Sequence, residues 1–168
     1  MLQHKYLGIL KSEKVQLGVI YLSVFLIPFL LPKPQIILGT IINFILIYSS
    51  SRHSLKQLIP LFLLPSISSF LNSILFGSST IFLLYLIPFI SISNFTYAYI
   101  SKRIKSRYVN ILIAACTKAF ILYFATYILV KTTNLPQTFL VAMGGIQLIT
   151  ALAGGILATL FQKDTSAS

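Results

Sequence analysis

The chain has 168 residues, 57% of them hydrophobic and only 9% charged, with a formal net charge of +11 and a mean hydropathy of +0.91. Soluble domains carry roughly a quarter charged residues, so polar side chains this scarce cannot cover a water-exposed surface; the composition is that of an integral membrane protein. The basic excess is not a nucleic-acid footprint, because Lys and Arg fall in short gaps between apolar runs while Phe and Tyr lie inside those runs.

A bilayer core about 30 Å thick takes about 20 apolar residues as a helix. Six segments approach that length: Val15–Leu31, Pro34–Ser50, Gln57–Phe76, Thr80–Ser101, Val109–Val130 and Thr138–Phe161. No gap between them could hold a separate soluble domain, so residues 1–168 are read as a single all-α domain, an integral membrane bundle of six transmembrane helices. The leading stretch MLQHKYLGILKSEK has no small-residue cleavage site after a short apolar core, which predicts an uncleaved first anchor.

Taken in chain order, most spans carry one polar stripe. The first holds Pro28, and the short second has Asn43 about one turn after Gly39 and Thr40. The third contains Pro60 and Pro65, where a lost backbone donor predicts kinks, and carries Ser66, Ser69, Asn72 and Ser73. The fourth carries Ser91, Asn94, Tyr97 and Ser101. The fifth has a lysine near its middle, Lys118, with Ala114, Ala115 and Ala125 at helical spacing and Phe120, Phe124 and Tyr127 largely on other faces. The sixth carries Gly144, Gln147, Thr150, Ala151, Gly154 and Ala158. Spacings of three and four put each set on one face, and small residues on membrane helices mark close contacts.

Basic residues set the expected orientation. Lys5, Lys11 and Lys14 precede the first span, Arg52 and Lys56 follow the second, Lys102, Arg103, Lys105 and Arg107 follow the fourth, and Lys163 follows the sixth. With six alternating spans all of these share one side, and only Lys33 and Lys131 lie on the other. The positive-inside rule then puts both termini in the cytoplasm. The run SKRIKSR (residues 101–107) reads as a topology anchor, or as a contact for anionic lipid or a cytoplasmic partner.

The chemistry available is sparse. Cys116 is the single cysteine, which cannot hold an iron–sulfur cluster, and His4 and His53 have no ligand-like spacing. The spans contain no Asp, Glu or His, so a general base is missing; neither an enzyme, a metal site nor a cofactor is expected.

Lys118 is the exception. It lies about ten residues, or roughly 15 Å, from the basic end of its span, too deep to snorkel. The chain has only two acids, Glu13 and Asp164, both outside the spans. Lys118 is therefore a neutral amine, is satisfied by amides and backbone carbonyls, or meets an anionic group from a ligand or partner. Asn and Gln in membrane helices also serve as interhelical glue. On separate spans and without a catalytic acid, Lys118, Asn94, Asn43 and Gln147 form a candidate substrate-binding set, and a structural or assembly subunit is the alternative.

The size, six spans, cytoplasmic termini and short loops resemble the substrate-binding S component of energy-coupling factor transporters. The patterns INFIL (Ile42–Leu46), LIPFISISN (Leu86–Asn94), TKAFIL (Thr117–Leu122) and QLITALAGG (Gln147–Gly155) are similar to those of a small six-span bacterial group, some of whose members carry the label "iron hydrogenase". The lone cysteine gives that label no support. The resemblance implies a plasma-membrane protein that binds a vitamin or other micronutrient and works with a transmembrane coupling subunit and ATPases. S components commonly dock through small residues spaced four apart in the first span; here LGVIYLSVF offers Gly18 and Ser23, spaced five apart.

Overall fold

The computed structural model describes residues 12–76, 82–103 and 107–164. His4, Lys5, Lys11, Thr80 and Lys105, named above, lie outside the described residues, as do the side chains of Arg107, Lys163 and Asp164. Among the described residues there are six helices and no strand: α1 (Glu13–Leu30), α2 (Gln35–Arg52), α3 (Ile59–Phe76), α4 (Leu83–Arg103), α5 (Arg107–Thr132) and α6. The last begins as Thr138–Val141, widens into a π turn over Ala142–Ile146 and continues as Gln147–Asp164.

Five of the six are long and apolar enough to cross a membrane. The sixth, α2, falls short because Gln35, Asn43 and the polar run Ser49–Arg52 dilute eighteen otherwise apolar residues. The outer faces are apolar throughout: Val19, Leu22 and Leu26 on α1 and Phe120, Phe124 and Tyr127 on α5 are exposed. Helices that are hydrophobic all round belong in lipid or deep in a large core, and this chain has no large core.

The helix ends follow from proline. Pro32 has no N–H to return to Pro28 O, and the sequence Pro32-Lys33-Pro34 breaks the chain before α2 starts. Pro136 plays the same part between α5 and α6, where Leu135 N donates to Thr133 Oγ1 at 3.3 Å.

The helices close a ring in the order α1–α3–α4–α5–α6–α2, with α2 and α4 also touching across it. Glycine decides the tightest seam. A Cβ on Gly154 of α6 would lie 2.6 Å from Thr40 O and 2.7 Å from Phe44 N of α2, so the two backbones meet with no room for a side chain. Across the same seam, a Cβ on Gly39 would lie 3.0 Å from the Thr150 side chain. On the other side of α6, a Cβ on Gly155 would lie 2.5 Å from Ile111 Cγ2 and 2.7 Å from the Tyr97 hydroxyl.

Two polar interfaces tie α1 to its neighbours. Between α1 and α3, Asn72 Nδ2 donates to Phe29 O at 2.7 Å and Ser68 Oγ donates to Phe25 O. Phe29 lies in the last turn of α1, where carbonyls lack an intrahelical donor, so Asn72 acts as a C-terminal cap from another helix. At the opposite end of the bundle, Glu13 accepts from Gln57 Nε2 at 2.8 Å and lies 3.5 Å from His53 Nδ1, while Lys102 Nζ donates to His53 O at 2.7 Å.

Candidate functional site

The small-residue face of α5 turns inward. Ala114 and Ala115 are fully buried and Ala125 nearly so, and Lys118 is only 3% exposed. Lys118 Nζ donates to Asn43 Oδ1 at 2.5 Å and to Asn94 Oδ1 at 2.7 Å. The Tyr97 ring flanks the amine, its centroid 5.2 Å from Nζ. Three helices, α2, α4 and α5, thus converge on one nitrogen.

Each amide is held in that orientation from behind. Asn43 Nδ2 donates to Thr150 Oγ1 at 3.2 Å, and Thr150 Oγ1 in turn donates to Gln147 O at 3.2 Å. The glycine seam between α2 and α6 makes this contact possible, because Gly154 and Gly39 let Thr150 approach Asn43. Asn94 Nδ2 donates to Phe62 O at 3.1 Å, one residue beyond Leu61, whose own carbonyl loses its helical donor to Pro65. Tyr97 is fixed by its hydroxyl, which donates to Ala151 O at 2.6 Å. With both NH₂ groups committed elsewhere, both amide oxygens face the amine. Oxygen acceptors and an aromatic face around Nζ all stabilise an ammonium.

The magnitudes balance. A lysine at the centre of a membrane helix costs about 2.5–3.5 kcal/mol or more to insert. A hydrogen bond to a charged group returns about 1.5–3 kcal/mol. Two of them offset the insertion cost without a carboxylate. Among the described residues none reaches Lys118; Glu13 is engaged with Gln57 and His53 at the other end of the bundle.

The cluster forms the floor of a cavity of about 790 Å³ to which all six helices contribute. Its mouth lies at the end carrying Pro32, Lys33, Pro34 and Gln35 and the start of α6 at Thr138 and Phe139. Its middle is walled by apolar residues, among them Pro28, Leu38, Ile42, Leu83, Ile90 and Met143. Lys33 and Lys118 are the ionisable side chains that line it, one at each end.

Of the four residues expected from the sequence, Lys118, Asn43 and Asn94 are in direct contact. Gln147 lines the same cavity but stands off from the amine; it is half-buried, and its side chain has no hydrogen-bond partner among the described residues. Asn43 on α2, Asn94 and Tyr97 on α4 and Thr150 on α6 belong to this cluster, whereas the stripe on α3 divides: Ser66 and Ser69 line the cavity, and Asn72 turns to α1. Thr150 and Tyr97 were legible as stripe members without a role, and the geometry supplies one for each. Lys33 and Phe139 at the mouth were not anticipated; an isolated lysine between two prolines carries no periodic signal.

Among the described residues there is no group of His, Cys, Asp and Glu that could hold a metal ion. Cys116 is exposed on the outer face of α5. Comparison with protein-family models, curated proteins and solved structures finds no match to the chain.

Proposed function

We propose that the chain is the substrate-binding membrane component of a small-molecule importer, without catalysis of its own. The observation that carries this reading is the cavity of about 790 Å³, which runs from the Lys33 end to an ammonium held by two amides in mid-bundle. Its size and its apolar wall with a few converging polar groups are those of a ligand site. The side chains around Lys118 satisfy two of the three donors an ammonium has, leaving one for an acceptor on the ligand. Gln147 adds an uncommitted amide on the same wall.

The orientation supports uptake. With six passes and both termini in the cytoplasm, Lys14, Arg52, Lys56, Lys102 and Arg103 lie on the cytoplasmic side, and the mouth at Lys33 opens outward in the plasma membrane. In this arrangement the floor is deep enough to hold a ligand from outside, and its release inward is a further step. A coupling subunit with ATPases, as the resemblance to S components implies, supplies that step.

Extraction of the purified protein followed by mass spectrometry tests the reading. One small molecule per chain, lost in Lys118→Met, is the expected result, with ATPase subunits recovered in the native complex. An empty extract together with a stable complex lacking ATPases would overturn it in favour of an assembly subunit.

A further inference from the structure

Resting on the proposed ligand site, we infer that the cavity takes an organic monocarboxylate with an apolar body, bound with its carboxylate inward at Lys118. The charge argument is direct. The ionisable side chains lining the cavity are Lys33 and Lys118, both bases, with no acid beside them, so an anion is stabilised at either end while a cation finds no counter-charge.

The donor count at the floor selects the head group. Lys118 has committed two of three N–H donors to Asn43 and Asn94. Asn43 Nδ2 gives one N–H to Thr150 and Asn94 Nδ2 gives one to Phe62 O; the N–H that each keeps lies on the nitrogen turned away from the amine, toward which both present oxygen. Two of the lining hydroxyls are spent on helix carbonyls, Thr150 on Gln147 O and Ser66 on Leu63 O at 2.9 Å. A phosphate would turn three terminal oxygens toward an amine with one proton left, at a desolvation cost that a site must repay with several donors. A carboxylate asks for fewer, and one ammonium proton together with the uncommitted Gln147 amide is a set of the right size.

The wall selects the body. Between floor and mouth the ligand passes Leu38, Ile42, Leu83, Ile90 and Met143, which offer dispersion contacts and no hydrogen bonds. The eight helical steps of α2 from Gln35 to Asn43 give this stretch a depth of about 12 Å. A polyhydroxylated acid would lose more water there than the few lining hydroxyls, Ser69 and Thr138 among them, replace.

Four probes separate these elements in equilibrium binding to protein in lipid nanodiscs, with empty nanodiscs as blank: octanoate, octyl phosphate, 1-octanol and lactate. Octanoate is expected to bind saturably and at least tenfold more tightly than the other three, and Lys118→Met to weaken octanoate at least tenfold while leaving 1-octanol unchanged. Equal binding of 1-octanol would overturn the anionic head, tighter binding of octyl phosphate the carboxylate, and equal binding of lactate the apolar body. The ranking on the unaltered chain decides these points even where the variant fails to insert. A polar metabolite extracted from the purified protein would overturn the ligand class and leave the binding reading intact. A cavity that holds neither probe nor extracted compound would overturn both.

Discussion

Asn72 and Asn94 sit on the neighbouring helices α3 and α4, are both buried, and both donate to a backbone carbonyl across a helix interface, at 2.7 and 3.1 Å. What lies on the other side of the amide separates them. Asn72 caps the last turn of α1 in a packed seam, whereas Asn94 relays from Phe62 O to the ammonium of Lys118 on the floor of a cavity. The first arrangement is the ordinary use of an amide in a membrane helix, cohesion between segments. The second spends cohesion to hold a charge that the bundle would be cheaper without. Two residues of the same type, one helix apart, thus mark the difference between a polar group that joins two helices and one that holds a buried lysine.

The largest expected effect comes from the seam that supports the cavity side. Gly154→Val should cost about 3 kcal/mol, because the new side chain meets the α2 backbone at Thr40 O and Phe44 N rather than a movable side chain. Unfolding in mixed micelles would show it, and an unchanged midpoint would mean that α2 and α6 are not in close contact. Next, Asn94→Leu removes an acceptor from a buried ammonium and should cost about 1.5–3 kcal/mol. Asn72→Leu removes a neutral contact and should cost about 1 kcal/mol in the same assay. Equal costs would erase the distinction between the two amides.

Removing the whole ionic cluster should cost less than breaking it. The triple replacement Lys118→Met, Asn43→Leu, Asn94→Leu is expected to lie within about 1 kcal/mol of the unaltered chain, or above it, since buried charges are often replaceable by apolar groups of similar volume. Its ligand binding should be lost. A large destabilisation would identify the cluster as structural. Smallest of all, Gln147→Leu should leave stability within about 0.5 kcal/mol, as expected for a half-exposed side chain without a partner. The same variant should weaken ligand binding by less than tenfold.

Much of this contrast was readable before any coordinates. Apolar runs and polar gaps locate the helices because a bilayer imposes length and polarity together, and the alanines beside Lys118 reveal an inward face because only small residues allow close packing there. Asn43 and Asn94 emerged as partners by residue type and stripe. The stripe on α3 was harder to resolve: its steps of three and four read as one face, yet Asn72 lies six residues, about 120° of helix, from Ser66, so one meets α1 while the other meets the cavity. The marginal apolarity of α2 shares a root with its role, since Asn43, one of the residues that dilute it, also makes the contact with Thr150 of α6. The π turn left no trace in the sequence, because Ala, Met, Gly and Ile are equally at home in a regular α-helix.

That turn bears on how the cavity's entrance is tied to its floor. A π segment absorbs one residue more than the α-helix it interrupts, so the faces of Thr138–Val141 and Gln147–Asp164 keep their phase across Ala142–Ile146. Losing one residue inside the turn would return α6 to a regular α-helix with Phe139 still at the mouth, whereas a residue lost from the α-helix on either side would rotate the two ends by about 100° relative to one another. The turn is thus a buffer: length can change within it while Phe139 and Thr150 hold their places at the two ends of the cavity.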